Sequence, residues 1–247
     1  EGGQRVKTDK RDAKELVDRL DRYLRGNRKV FAVVRVPSPE QEQRRCVARQ
    51  RSAALKERNR CAVRGHGMML AQGVQAPSGW WKPHRWLQLA PTLAPWLQDQ
   101  VALWQQKALS FDQEVAALDK KVASQSEGKA LPKGLGSLTA SLLGAEILDW
   151  HRFKNRRQVA SYTGLCPSEH STGQRRKQGS INKHGNPRIR HHLVEAVWRL
   201  EMWQPDYPPI KKLVAVARRL AVDLWRIETG QCSAQKLGLQ LIPATRA

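Results

Sequence analysis

Three groups of residues in this 247-residue chain have the types and spacing that chemistry on a phosphodiester would use. The first is Ser171-Thr172-Gly173-Gln174-Arg175-Arg176-Lys177, where two hydroxyls stand beside a glycine and ahead of three cations. Phosphoryl transfer to a side chain needs a hydroxyl that reaches phosphorus, cations that neutralise the nonbridging oxygens, and a group that takes the proton. The segment supplies the first two; a solvated loop that only grips phosphate would have the same composition. The second group is Asp9 and Asp12, three residues apart and so on one face of a helix. Two carboxylates so placed can share Mg²⁺, which favours one or two carboxylates together with phosphate and water. Acid at a helix start has the same spacing for a simpler reason, the helix dipole. The third is Gly134-Leu135-Gly136 ahead of the apolar run Ser141 to Leu148, a turn through which backbone amides can approach a phosphate. A glycine-rich turn with no ligand reads the same way.

The charge of the chain says what these groups would face. There are 44 Lys plus Arg against 22 Asp plus Glu, a formal net charge of +22. Such an excess makes a compact state repel itself unless a polyanion compensates, so nucleic acid is the leading partner. Residues 151–200 alone hold 11 Lys plus Arg against Glu169 and Glu195, a net of about +9. No run of about 18 apolar residues exists and no short apolar stretch follows a basic start, so no membrane partner and an intracellular location are expected. Cys46, Cys61, Cys166 and Cys232 form no C-x-x-C pair, which predicts reduced, structural thiols.

The elements that must position these groups are mostly helical. A polar helix is predicted from Thr8 to Arg25. Val30-Phe31-Ala32-Val33-Val34-Arg35-Val36, β-branched and closed by Pro37 and Pro39, predicts a strand. Pro39 and Glu40 open a basic helix toward Arg64. Leu97, Val101, Trp104, Ala108, Phe111, Val115, Leu118 and Val122 alternate spacings of four and three, a heptad seam. Its nearest partner is the basic helix, where Val47, Ala54 and Cys61 recur every seven, although Arg51 and Arg58 fall where the seam wants apolar groups. Either those arginines snorkel or the partner comes from another subunit. Between the two arms, Gly79-Trp80-Trp81-Lys82-Pro83-His84-Arg85-Trp86 reads as a packed cap or as an aromatic, basic platform for nucleobases. A polar linker around Ser124 to Gly128 leads to a compact segment ending near residue 227, with a polar tail beyond.

Three segments together resemble one family, the insertion-sequence transposases that join a RuvC-like domain with an Asp-Glu-Asp-Asp tetrad to a C-terminal transposase domain; some members are bridge-RNA-guided recombinases. Lys7-Thr8-Asp9-Lys10-Arg11-Asp12-Ala13 is similar to the family's K-T-D-x-x-D-A. Leu131 to Glu146 resembles its glycine-rich hairpin. Phe153 to Arg190, with R-Q-x-A-x-Y-x-G-L-x-P-S-E-H-S and G-x-I-x-K-x-G-N-P, resembles its serine-bearing core. The resemblance implies a mainly α chain in four parts. Residues 1–37 would be the remnant of a RuvC/RNase H-like α/β domain and 38–126 coiled-coil arms. Residues 127–227 would be a helix-hairpin-helix-containing transposase domain and 228–247 a tail. The chain opens at Glu1 without Met and the aspartate motif begins by residue 7, so the tetrad's first Asp and its Glu are expected upstream.

The resemblance further implies strand cleavage by the hydroxyl of Thr172 or Ser171, since Thr172 stands where the family has its serine. Asp9 and Asp12 would hold Mg²⁺. Gly134, Gly136, Arg175, Arg176, Lys177, Lys183, Asn186, Arg188 and Arg190 would meet nucleic acid. The implied partners are DNA, a guide RNA and further copies of the chain through the arms, in a bacterial cytoplasm at the nucleoid. Two rivals remain: a noncatalytic basic coiled-coil nucleic-acid-binding protein, and a metal-dependent nuclease using the aspartates alone. The charge distribution yields the first expected outcome. The logarithm of affinity for duplex DNA should fall linearly with the logarithm of salt concentration, with a slope near 0.9 per phosphate contacted. Changing Arg175, Arg176 and Lys177 to Glu should weaken binding to every sequence, and a salt titration that leaves affinity unchanged would contradict it.

Overall fold

The computed structural model describes residues 8–31, 36–126, 129–169, 172, 178–207 and 213–242. The chain divides between Ser38 and Pro39 into two units. The first holds helix α1 (Asp9–Leu24), with Asp9 and Asp12 in its first turn, where the dipole favours acid. Exposed i,i+4 pairs, Glu15 with Arg19 and Asp21 with Arg25 at 2.9 Å, add a few tenths of a kcal/mol each, roughly. Leu16, Val17, Leu20 and Leu24 lie on one stripe of this helix and are exposed. The predicted strand is not met at its described ends. Val30 and Phe31 are in turn and bend and Val36 is exposed coil, while 32–35 lie outside the described residues. Phe31 instead packs edge-on against Tyr23, with ring centroids 5.7 Å apart.

The second unit opens with two long arms, α2 (Pro39–Leu70) and α4 (Pro95–Ala123), joined through a tip that contains the short α3 (Pro83–Leu89). The predicted seam is buried: Leu97, Val101, Ala108, Val115, Leu118 and Val122 face Ala48, Ala54, Cys61, Ala62 and Met69 of α2. The partner of the seam is therefore in the same chain. Arg51 and Arg58 neither snorkel nor stay unmatched. Arg51 hydrogen-bonds Asp119, and Arg58 Nη1 donates to Asp112 at 2.9 Å. Both pairs step by one heptad, in opposite senses along the two helices, which fixes the antiparallel register electrostatically where apolar contact is thin.

The tip is a packed cap. Trp80 is 2 % exposed, its indole N–H donates to the Ala62 carbonyl at 3.2 Å, and Trp81 and Trp86 pack around it at 6.3 and 5.9 Å. Gly65 of α2 makes this possible, because a Cβ there would stand 2.4 Å from Trp80 Cζ2.

Beyond the arms come β1 (Leu131–Pro132), α5 (Ser137–Ile147), α6 (Arg156–Thr163), β2 (Pro167–Glu169), β3 (Gln178–Ile181), α7 (Pro187–Trp203), α8 (Leu213–Glu228) and β4 (Leu241–Ile242). Strands β2 and β3 pair antiparallel, as do β1 and β4. Leu143, Ile147, Val159, Leu165, Ile189, Leu193, Val197, Leu200, Ala217 and Leu220 form one core between α5, α6, α7 and α8. The stretch after α8, expected as a polar tail, returns to that core. Ala234 and Leu239 are buried in it, and Gln204 ties the return in place by accepting from Gln240 N at 2.7 Å. No helix among the described residues is long and apolar enough to cross a membrane.

Arms and core meet at α5. Its Leu142 and Ala145 pack on Ala48 and Val122 at the arm root, and its Glu146, 4 % exposed, is surrounded by polar groups from other elements. Asn186 Nδ2 donates to Glu146 Oε2 at 3.0 Å. Oε1 accepts no hydrogen bond among the described residues and has Arg49 Nε at 3.7 Å and Arg188 Nε at 3.8 Å. His192 of α7 faces the same junction. Burial, then His191 and the Arg51 guanidinium, push its pKa down to about 4, with the Glu146 carboxylate acting in the opposite sense.

Two outcomes follow from this packing. Gly65→Ala drives a methyl into the Trp80 ring and should lower stability by about 1–3 kcal/mol, read as a lower denaturant midpoint by circular dichroism. His192 is uncharged in the folded chain down to about pH 4, whereas in the unfolded chain it takes a proton near its ordinary value of about 6.5. The unfolded state therefore binds more protons between those values, and stability should fall as pH drops through that window. His192→Gln should flatten that part of the stability curve; an unchanged slope would show that His192 does not contribute.

Candidate nucleic-acid interface

The loop that carries the candidate nucleophiles is held by the hairpin of β2 and β3. Pro167 pairs with Ile181 and Glu169 with Gln178, with a register irregularity between, and Ser168 Oγ donates to the Ser180 carbonyl at 3.0 Å. Between these strands Thr172 is exposed. Ser171, Arg175, Arg176 and Lys177 lie outside the described residues.

The hairpin is anchored by a backbone contact that only glycine permits. Helix α6 ends at Gly164, whose φ of +66° is left-handed. Gly185 lies so close that a Cβ on it would stand 2.2 Å from Gly164 N and 2.4 Å from the Tyr162 carbonyl. The loop is then laced to the helix end: Asn182 N donates to Cys166 O at 2.9 Å, Lys183 N to Gly164 O at 3.2 Å and Asn186 N to Tyr162 O at 2.7 Å. Lys183 is itself left-handed, with φ of 58°, a conformation uncommon for a residue with a Cβ. Its side chain is exposed.

The remaining candidates divide by what already holds them. Asn186 caps α7, accepting from Arg188 N at 2.9 Å and Ile189 N at 3.3 Å, while its amide donates to Glu146. Arg190 Nη1 donates to the carbonyls of Thr163 and Lys183 at 3.2 and 3.3 Å, so its head closes the α6 end over the loop. Arg188 is 47 % exposed and sits at the start of α7 with Lys183 a few residues before it. These two offer charge at the surface; Asn186 and Arg190 shape the loop that presents it.

Gly134 takes a φ of +94°, and a Cβ on it would meet the Arg199 carbonyl at 3.3 Å, so the turn after β1 lies against the α7 backbone. Gly136, the N-cap of α5, is exposed and has no side chain to occupy the first amides of that helix. Asp9 and Asp12 belong to the first unit and are exposed in the first turn of α1. Two carboxylates one turn apart suit part of a Mg²⁺ shell completed by phosphate and water. Among the described residues no His, Cys, Asp or Glu joins them to make a cluster of three.

Sequence reasoning passed over several residues on which this geometry depends. Glu146 was embedded in an apolar run, and Asp112 and Asp119 looked like surface acids on α4. Their spacing of seven, matching that of Arg51 and Arg58, was the available signal.

The sequence profile of the Transposase IS116/IS110/IS902 family matches residues 132–212, from β1 through α7. The chain is 33% identical to y4rJ of Sinorhizobium fredii, provisionally named a transposase, over 90% of this chain and 66% of that one. A second protein so named from that organism, y4qE, is 30% identical over 92% of this chain and 57% of its own length. The transposase for insertion sequence element IS1111A of Coxiella burnetii is 28% identical over 50% of the chain and 39% of its own. The chain thus spans no more than 66% of the length of these relatives. With its hydroxyl-bearing hairpin, glycine contact and α7 all inside the matched segment, the chain carries in residues 132–212 a transposase domain of the IS116/IS110/IS902 family.

Proposed function

We propose that this chain is part of a DNA transposase that cleaves and rejoins strands through a side-chain hydroxyl. The observation that carries the reading is the position of Thr172. It is exposed in a hairpin inside the family segment, and the hairpin is braced by the Gly164–Gly185 contact next to the surface cations Lys183 and Arg188. In the first step the Thr172 or Ser171 oxygen attacks phosphorus. A P–O bond of the strand breaks, the leaving oxygen takes a proton, and the phosphate stays esterified to the protein. Attack by a free strand hydroxyl then reforms a phosphodiester and restores the side-chain hydroxyl, so no nucleotide hydrolysis is needed. Lys183 and Arg188, with Arg175, Arg176 and Lys177, stabilise the charge that develops on the nonbridging oxygens. Gly136 and the α5 amides serve as a further phosphate contact.

Asp9 and Asp12 are the residues that would hold Mg²⁺, which supplies charge neutralisation at a phosphate oxygen. A guide RNA, assembly of several copies through outer faces of the arms, and a place at the bacterial nucleoid complete the proposed reading.

A covalent protein–DNA bond survives denaturation, whereas hydrolysis by metal-activated water leaves none. The test uses a suicide DNA substrate with insertion-sequence ends. It is run with this chain and with a chimera carrying it in place of the matching part of y4rJ. Thr172→Ala should abolish the denaturation-resistant adduct while Ser171→Ala only weakens it; if the loop presents Ser171, the outcomes exchange. Asp12→Asn should suppress both cleavage and adduct. Cleavage that persists without adduct in both hydroxyl variants would replace this reading with the metal-dependent nuclease.

A further inference from the structure

A cavity of about 290 Å³ opens at the root of the arms, on helix α5, and the strand-transfer reading gives it no role. Its wall is formed by aliphatic Leu131, Leu135 and Leu143 with the ring of Trp150, and Arg44 and Lys129, both exposed, stand in its lining. Two features of α5 mark it as more than a packing defect. Ser141, 6 % exposed, lines it with a buried hydroxyl that has no hydrogen-bond partner among the described residues. A buried polar atom left unmade is costly, so this hydroxyl points to a ligand that supplies the missing partner. Gly144, one turn on, also lines the cavity. A Cβ built on it meets nothing within 4 Å, so no close contact requires glycine there. Glycine is among the poorest residues for a helix interior, and what it leaves at this position is open space.

We propose that this cavity receives one unpaired nucleobase from the nucleic acid the chain binds. The volume lies near the lower bound of about 300 Å³ for ligand pockets, which suits one small flat molecule and excludes a duplex. A flat base can lie against the Leu131, Leu135, Leu143 and Trp150 wall, and Ser141 meets a polar atom on its edge. Glu228, also in the lining, can accept from base N–H groups. Arg44 and Lys129 hold the attached phosphate. The family match begins at Pro132, so the cavity borders the domain that the proposed strand chemistry uses. The inference rests on the nucleic-acid reading of the chain but not on the identity of its nucleophile.

The test measures equilibrium binding of the chain to a short duplex and to the same duplex with one bulged, unpaired nucleotide, each as DNA and as RNA. The wild-type chain should bind a bulged probe roughly tenfold more tightly than its paired counterpart, because an unpaired base enters without the cost of unstacking a pair. Gly144→Leu, which fills the cavity from a position with room for it, should remove that preference. It should leave affinity for the paired probe and the melting temperature unchanged. Ser141→Ala keeps the volume and should weaken the preference without abolishing it. A preference confined to bulged DNA or to bulged RNA supports the inference and identifies the strand that supplies the base. Equal wild-type affinity for bulged and paired probes, or a preference that survives Gly144→Leu, overturns it while leaving nucleic-acid binding intact. Failure to bind any probe overturns the nucleic-acid reading with it.

Discussion

A carboxylate removed from water must find compensating charge and hydrogen bonds, or the fold that buries it is destabilised by several kcal/mol, on the order of the cost of an unpaired buried ion. Glu146 imposes that constraint here, because its compensation comes from places far apart in sequence. Arg49 arrives from the first arm, while Asn186 and Arg188 arrive from the start of α7. Helix α5 can keep its buried position only when the arm root and the α7 cap are both docked. The arms are therefore bound electrostatically into the domain, and the cap that begins α7 is held from below by the same carboxylate. The loop between β3 and α7 inherits its placement from that cap.

On this foundation the glycine contact between α6 and the loop gains its meaning. Gly164 and Gly185 bring two backbones closer than any side chain would allow, and Arg190 closes over them by donating to carbonyls on both sides. The result is a stiff base under a hairpin whose outer residues are exposed. A rigid base with an accessible rim suits a reacting hydroxyl, which must be held within a fraction of an ångström relative to its phosphate.

Much of this could be read from residues alone, and the limits have physical causes. The heptad seam from Leu97 to Val122 announced a buried helix face because periodicity is a local property of one segment. Its partner was harder, since Arg51 and Arg58 broke the apolar pattern. Only the facing Asp112 and Asp119 explain them, and pairing across a hairpin depends on register. Trp80 could be cap or platform by composition; its burial was decided by Gly65, fifteen residues earlier in the chain. The return of Ala234 and Leu239 to the core carries almost no local signal, because two apolar residues in a polar stretch have no period to detect. In the candidate site, the G-L-x-P and K-x-G-N-P segments stood out as motifs. That Asn186 and Arg190 are taken up in capping and lacing, leaving Lys183 and Arg188 at the surface, depends on tertiary contacts that spacing cannot reveal.

The paired arginines and aspartates of the arms also set a length scale. With the two helices locked in register, the antiparallel pair cannot slide, and the 29 residues of α4 rise about 43 Å at 1.5 Å each. Measured along duplex DNA at about 3.4 Å per base pair, that span is roughly one helical turn and a quarter. The Trp80 cap at the far end is thus carried as the head of a caliper. Whatever surface it rests on is separated from the reacting hairpin by a distance that the salt-bridge ladder, rather than the flexibility of the chain, determines.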